Sequence, residues 1–377
     1  MSLGEIVASL RVGRRMSRFH RRRATHVAAP AWASAARSRA ALIAGGLAVV
    51  ALALLSTGVG SVSIPPLTVA RLLLARLPFL RLPVDAPATF GAILFDIRLP
   101  RVALVALTGA ALATSGTAYQ GLFRNPLADP YLIGVASGAG LGAIVAIVLR
   151  EAHPLSISPF LVPLGAFTGA LATVALVYQL GRVGHSTPTT TLILAGVAVG
   201  SFATAVSTFL LLRLGQQMVH VMAFLLGGYS AAGWEAVVAV APFTLGGFVL
   251  MEVYARPLNV LLFGEEQARQ LGVDTRRVKR VVIVAATLTT AGAVAFSGLI
   301  GFVGLIVPHA ARMLVGPDHR RLLPLAALGG AGFLMFADLL ARIAVSPEEL
   351  PLGVVTAFAG APFFLFLLRR ARNASFY

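Results

Sequence analysis

A chain of 377 residues with 58% hydrophobic and 12% charged residues and a mean hydropathy of +0.86 is not a pair of ordinary soluble domains, which carry about twice that charged fraction. Cysteine is absent, which excludes disulfide frameworks, thiolate metal sites and cysteine nucleophiles. The formal charge of +17 comes from 31 Lys and Arg against 14 Asp and Glu. In a chain built of long apolar runs, that excess is read as the positive-inside bias of a membrane protein rather than as a nucleic-acid surface.

In chain order, residues 1–39 read as a basic cytoplasmic tail without apolar periodicity, expected to be disordered. Nine arginines fall before Ala41, among them Arg21, Arg22 and Arg23. The basic stretch is far longer than the leading region of a signal peptide, so the apolar run after it is expected to stay in the protein. A spanning helix needs about 20 mostly apolar residues. Spans are predicted at 40–57, 99–120, 132–149, 160–180, 190–212, 236–254, 279–297, 300–315, 322–341 and 352–369. The expectation is an all-α polytopic membrane domain over residues 40–370 with about ten transmembrane helices, then a short cytoplasmic tail at 371–377. An even number of spans puts both termini on one side, and placing them inside puts most Lys and Arg residues there too.

The eighth span is short. Gly298, Gly301 and Gly304 lead into Pro308 and His309, so a broken or partly re-entrant helix is expected, buried in protein or beside a cavity. Sliding the sequence by 182 positions pairs Arg98 with Arg280, Ser115-Gly116 with Ser297-Gly298 and Pro126 with Pro308. An inverted repeat of two halves and chance matching among small residues account for this equally well. Glycines inside spans, as in Gly138-Ala-Gly140-Leu-Gly142 and Gly165-Ala-Phe-Thr-Gly169, suit close helix approach, although each one singly reads as simple packing.

Missing chemistry narrows the mechanism. Lys279 is the single lysine, and no G-x-x-x-x-G-K-[ST] loop surrounds it, so any ATP hydrolysis belongs to another polypeptide. An intramembrane enzyme needs paired acids for a metal or a nucleophile with its base, and no such set is present. His309 reads as a structural histidine. A proton-coupled secondary transporter, the runner-up reading, needs ionisable groups near the midplane. Asp338 is the best candidate, but it falls near the outer end of its span, four residues before Arg342, which makes an i,i+4 ion pair the plainer reading. Residues 264–280 form the longest polar interruption of the second half, with a short helix expected at 265–271 capped by Gly272.

Several motifs then occur in order: Arg98-Leu-Pro-Arg101; Ser115-Gly116, Gln120, Asn125-Pro-Leu-Ala128, Pro130 and Gly134; Gly264-Glu265, Ala268 and Leu271-Gly272-Val273; Gly301 to Leu305, Pro308-His309 and Arg312; Gly316 and Asp318-His319-Arg320; Ala337-Asp338 and Arg342; Glu349 to Gly353 and Gly360 to Phe363. Together they resemble the iron-chelate, haem and cobalamin permease family of type II ABC importers, over about residues 40–370. The resemblance implies a ten-helix subunit of a bacterial inner membrane, with both termini cytoplasmic, which is not itself an enzyme. It implies a homodimer around a central path, two ATPase subunits carrying the ATP and magnesium, a soluble binding protein, and a metal chelate as cargo: a ferric siderophore first, haem or cobalamin close behind. No cofactor, metal or nucleic acid is expected on this chain. The family's ATPase-coupling segment falls on Glu265, Glu266, Ala268, Leu271 and Gly272. Its binding-protein contacts fall on Arg98, Arg101 and Arg342, all placed outside by the topology. The path-lining helix falls on the span carrying Ser201, Thr204, Ser207 and Thr208, whose hydroxyls could equally bond back to their own helix. One stretch departs from the family pattern, Ala223-Phe-Leu-Leu-Gly-Gly-Tyr229, and with it the substrate subgroup stays open.

Overall fold

Each of the ten apolar runs becomes a helix. The computed structural model describes residues 31–60, 62–76, 87–152, 160–184, 187–215, 218–228, 233–346 and 348–374, and regular structure among them is helical. The spans are α1 (Ala31–Gly58), α4 (Leu99–Phe123), α5 (Val135–Ala152), α6 (Leu161–Leu180), α7 (Thr189–Leu211), α9 (Trp234–Val253), α12 (Thr275–Ser297), α13 (Val303–Val315), α14 (His319–Ile343) and α15 (Leu352–Ala374). Shorter helices lie between them: α2 (Pro66–Ala75), α3 (Ala88–Ala92), α8 (Met218–Leu225), α10 (Ala255–Leu261) and α11 (Glu265–Gln270). A π-helical turn, Ile93–Arg98, joins α3 to α4. Helix α1 starts inside the stretch expected to be a disordered tail. Residues 1–30, with Arg21 to Arg23, and residues 375–377 lie outside the described residues.

Among the described residues, six helices are long and apolar enough to cross a membrane, namely α1, α6, α7, α9, α12 and α14. Helix α4 is enclosed by the others. It packs against α14, α12, α9 and α13, so it meets protein on nearly every side, and its Thr108, Thr114, Ser115, Thr117 and Gln120 are all buried. All but the Thr108 hydroxyl are satisfied internally, as a bilayer interior requires: Ser115 Oγ donates to Ala286 O, Gln120 Nε2 donates to Gly304 O, and Thr114 and Thr117 donate to their own preceding turn.

Small residues set the distances around α4. A Cβ on Gly109 would lie 2.1 Å from Gly330 O on α14, and one on Gly116 would lie 2.2 Å from Gly304 O on α13. Helices α5 and α6 approach in the same way through Gly142 and Gly165. Where lipid supplies no hydrophobic drive between helices, such contact packing is what holds them. The two helices paired by the 182-residue slide, α4 and α12, lie against each other.

The eighth span is broken as expected. Helix α13 has 13 residues, about 20 Å at 1.5 Å per residue, and residues 298–302 before it are non-helical. This irregular backbone is buried in protein. Leu299 N donates to Phe224 O, and Leu352 N and Gly353 N donate to Gly227 O and Leu226 O. Tyr131 Oη donates to Ile300 O and accepts from Ile300 N. Three strips remote in sequence therefore knot together, each contributing a glycine where they touch: Gly227 at φ +81°, Gly298 at φ +69°, and Gly353, where a Cβ would lie 2.6 Å from Leu226 O. The stretch that departs from the family pattern, Ala223 to Gly228, forms one of these strips; its Tyr229 lies outside the described residues.

Gly116→Ala is expected to lower stability by about 1–3 kcal/mol through overpacking. Gly46→Ala on α1, with open space around it, is expected to be neutral or stabilising. Thermal unfolding of the two variants in detergent checks the contrast.

Candidate functional site

Three regions carry the residues singled out by sequence. At one end of the bundle, α11 leaves the body of the protein as a polar helix between two glycines. Its C-terminus closes in a Schellman motif: Val273 N donates to Ala268 O and Gly272 N to Arg269 O, each at 2.9 Å. Gly272 occupies the left-handed position at φ +80°, as the motif requires. Glu266, Leu271 and Gly272 are exposed and Glu265 is half-buried, while Ala268 is fully buried. Ala268 therefore seats α11 on its own chain and is not available to a partner. Flanking the helix, Phe263 is 75% and Leu271 69% exposed, two large apolar side chains beside a charged surface.

Lys279, read from sequence only as the absence of a phosphate loop, ties this end together. Its buried ammonium on α12 donates to Glu265 Oε1 on α11 and, at 3.0 Å, to Thr187 O just before α7. Nearby, Asp318 Oδ1 accepts from Arg320 N, capping α14, and from Asn259 Nδ2 on α10; Asn259 Oδ1 in turn accepts from His319 N. Arg312 on α13 donates to Gln120 Oε1, and Gln120 Nε2 donates to Gly304 O. These polar contacts thus tie α10 to α14 and α4 to α13.

At the opposite end the three arginines expected to face a partner are engaged inside the chain. Arg98 is 7% exposed and donates to the carbonyls of Thr57, Gly58 and Val62. Arg342 donates to Ser56 O, Ser56 Oγ and Val59 O. Both guanidiniums cover the C-terminal end of α1, where carbonyls lack helical partners and the helix dipole is negative. Arg98 and Arg101 do not present a common outward face: Arg101 turns to α14, donating through Nε and Nη2 to Asp338 Oδ1 and through Nη1 to Glu349 Oε2. Asp338 also pairs with Arg342 at 3.0 Å. The i,i+4 pair read from sequence is present, and the buried carboxylate carries a second arginine besides.

Helix α7 leaves one face uncovered. Ser201, Thr204 and Thr208 are exposed on it, with Leu194, Phe202 and Phe209. Ser207 is buried, so it does not share that face. Thr204 Oγ1 donates to Gly200 O and Thr208 Oγ1 to Thr204 O, the local bonding that competes with an open role. An apolar hollow of about 610 Å³ lies beside the backbone knot, lined by Leu226, Leu299, Phe302, Val354, Phe358 and their neighbours. Nothing in the residue pattern pointed to it, because it is assembled from ordinary apolar residues of three separate segments.

Residues 48–370 match the FecCD transport family. The chain belongs to that family. Over 283 residues it is 48% identical to the cobalamin import system permease protein of Halobacterium salinarum, covering 75% of each chain. It is 43% identical over 282 residues to the hemin transport system permease protein of Yersinia pestis, covering 74% of this chain and 84% of that one. The Fe(3+)-citrate import system permease protein of Bacillus subtilis is 37% identical over 281 residues, 74% of this chain and 82% of its own. A solved metal-chelate type ABC transporter in an inward-facing conformation superposes with a TM-score of 0.75 at 31% identity, covering 87% of this chain and 98% of the other. As a member of this family the chain is a multi-pass membrane permease.

Asp338→Ala is expected to cost about 3–5 kcal/mol, since it leaves Arg101 and Arg342 without their shared buried carboxylate. Glu349, whose side chain is 50% exposed, makes a solvent-screened pair, and Glu349→Gln is expected to cost no more than about 1 kcal/mol. Denaturation of the purified variants separates the two.

Proposed function

We propose that this chain is the membrane-spanning subunit of an ATP-driven importer that takes up a metal chelate from a soluble binding protein by alternating access. Family membership supports the class. The observation in the molecule that carries it is α11: a capped polar helix flanked by exposed Phe263 and Leu271, held by Lys279 to the foot of α7. An exposed apolar pair at a solvated end is the signature of a docking surface. Two ATPase subunits, which carry the ATP and magnesium, dock there on the two copies of a homodimer. Their closure is passed through Glu265, Lys279 and Thr187 to α7, whose uncovered face lines the path. The uncovered α7 face and the apolar hollow fit a central passage completed by the second copy. Membrane orientation follows the positive charges, with both termini in the cytoplasm and the bilayer that of the bacterial inner membrane.

Arg101 is the arginine suited to a binding-protein carboxylate, since its partner Glu349 is half exposed and can yield; Arg98 and Arg342 serve by holding α1 in place. For the cargo, the relatives named for cobalamin and hemin are the more similar ones, at 48% and 43% against 37% for the one named for ferric citrate. This ranks cobalamin or haem above a ferric siderophore.

The test is reconstitution of the chain with its ATPase and binding protein in proteoliposomes, scoring ATP hydrolysis and uptake of cyanocobalamin and hemin. The chain alone is expected to hydrolyse no ATP, and robust hydrolysis by it overturns the reading. Gly272→Val, which forces a β-branched residue into a left-handed position, is expected to lower uptake per ATP by about tenfold, a loss of ~1.4 kcal/mol in coupling. Lys279→Met should do the same with hydrolysis retained. Unchanged uptake per ATP in both variants counts against α11 as the coupling element.

A further inference from the structure

Between α6 and α12 runs a second hollow, about 400 Å³ in volume, which the import mechanism does not use. Leu171, Val174 and Tyr178 line it from α6, and Arg280, Val284 and Leu288 from α12. These positions extend along each helix for about 12 Å at 1.5 Å per residue. The two helices run antiparallel, so Tyr178 and Arg280 share one end of the groove while Leu171 and Leu288 share the other. The polar end is the one that the charge bias assigns to the cytoplasm. Beside the mouth, Leu176 and Val284 are exposed, so the groove opens on the outer surface of two helices long enough to cross a bilayer.

Arg280 is exposed and pairs with no carboxylate among the described residues. Its neighbour Lys279 is buried and fully engaged, so the contrast is local. A guanidinium at the membrane surface is a bidentate donor for phosphate oxygens. Basic sites between transmembrane helices on the cytoplasmic side suit anionic lipid head groups. Below Arg280 and Gln179 the groove is lined by apolar side chains with Thr287 as the polar exception. Cationic at the interface and apolar toward the midplane, it repeats the asymmetry of a phospholipid.

We propose that this groove holds one anionic phospholipid, with its phosphate on Arg280 and an acyl chain running between Val174 and Val284. The site depends only on α6 and α12 crossing the bilayer, so it stands or falls separately from the import reading.

The experiment is native mass spectrometry of the full-length chain released from detergent, with dioleoylphosphatidylglycerol and dioleoylphosphatidylcholine added in competition. The wild-type chain is expected to retain one phosphatidylglycerol in preference to phosphatidylcholine. Arg280→Gln is expected to weaken that retention about fivefold, in line with one basic residue at a lipid surface, and Arg280→Lys to keep most of it. Ala175→Phe, which fills the groove, should reduce retention of both lipids. If that variant melts early without lipid, the Arg280→Gln and Arg280→Lys pair decides alone. Equal retention by wild type and Arg280→Gln, or no preference over phosphatidylcholine, overturns the proposal. So does thermal stabilisation by glycerol 3-phosphate alone, which assigns Arg280 to free phosphate. Loss of the dimer in Ala175→Phe likewise overturns it, by making the groove a protein interface.

Discussion

A bilayer interior offers no water to an unpaired N–H or C=O, and the arrangement of this chain follows from that constraint. Helices satisfy it trivially along their length. The difficulty lies where a helix ends or breaks at depth, and there the structure brings in specific partners. The carbonyls at the end of α1 are met by Arg98 and Arg342. The broken entry to α13 is met by Phe224, Tyr131 and the chain before α15. On α4, Ser115 and Gln120 are met by α12 and α13, and Thr114 and Thr117 by their own helix. Once those partners are fixed, the glycine contacts around α4 determine how near each helix sits.

The same accounting separates two kinds of polar residue. Asp338, Gln120, Asn259 and Lys279 are buried or half-buried and spend their bonds inside the chain. Glu266 at one end, beside the exposed apolar Leu271 and Phe263, and Glu349 at the other are presented outward. These sit at the two ends of the bundle. At the α11 end, the link from Glu265 through Lys279 to Thr187 is short and made of charge-assisted bonds.

Much of this was legible in the sequence. All ten spans coincide with helices, the weak eighth is short and broken, and the helix capped by Gly272 is in place, because apolar length and glycine at a left-handed position are local signals. The pairing of Asp338 with Arg342 was legible for the same reason, since i and i+4 always share a helix face. What escaped depends on contacts between distant segments. Ala268 and Ser207 differ from their neighbours only in what packs over them. Arg98 and Arg101, three residues apart, were expected to act together, yet Arg98 caps the end of α1 while Arg101 turns to Asp338 on α14, so each arginine finds a different helix. Lys279 drew attention for lacking a phosphate loop, whereas its partners Glu265 and Thr187 come from two other parts of the chain. Helix α8 is too short for its period to stand out, and its importance lies in backbone groups that carry no sequence signal.

The backbone knot has a consequence for how the protein is made. Its strips come from residues near 227, 298 and 353, so the last contributor leaves the ribosome when nearly the whole chain has been inserted. Until then the carbonyls of Leu226 and Gly227 have no final partners. Long-range closure of this kind slows assembly and prolongs the exposure of incomplete intermediates. A chain truncated before Leu352 therefore leaves the carbonyls of Leu226 and Gly227 without these donors, although most of its helices have already been inserted.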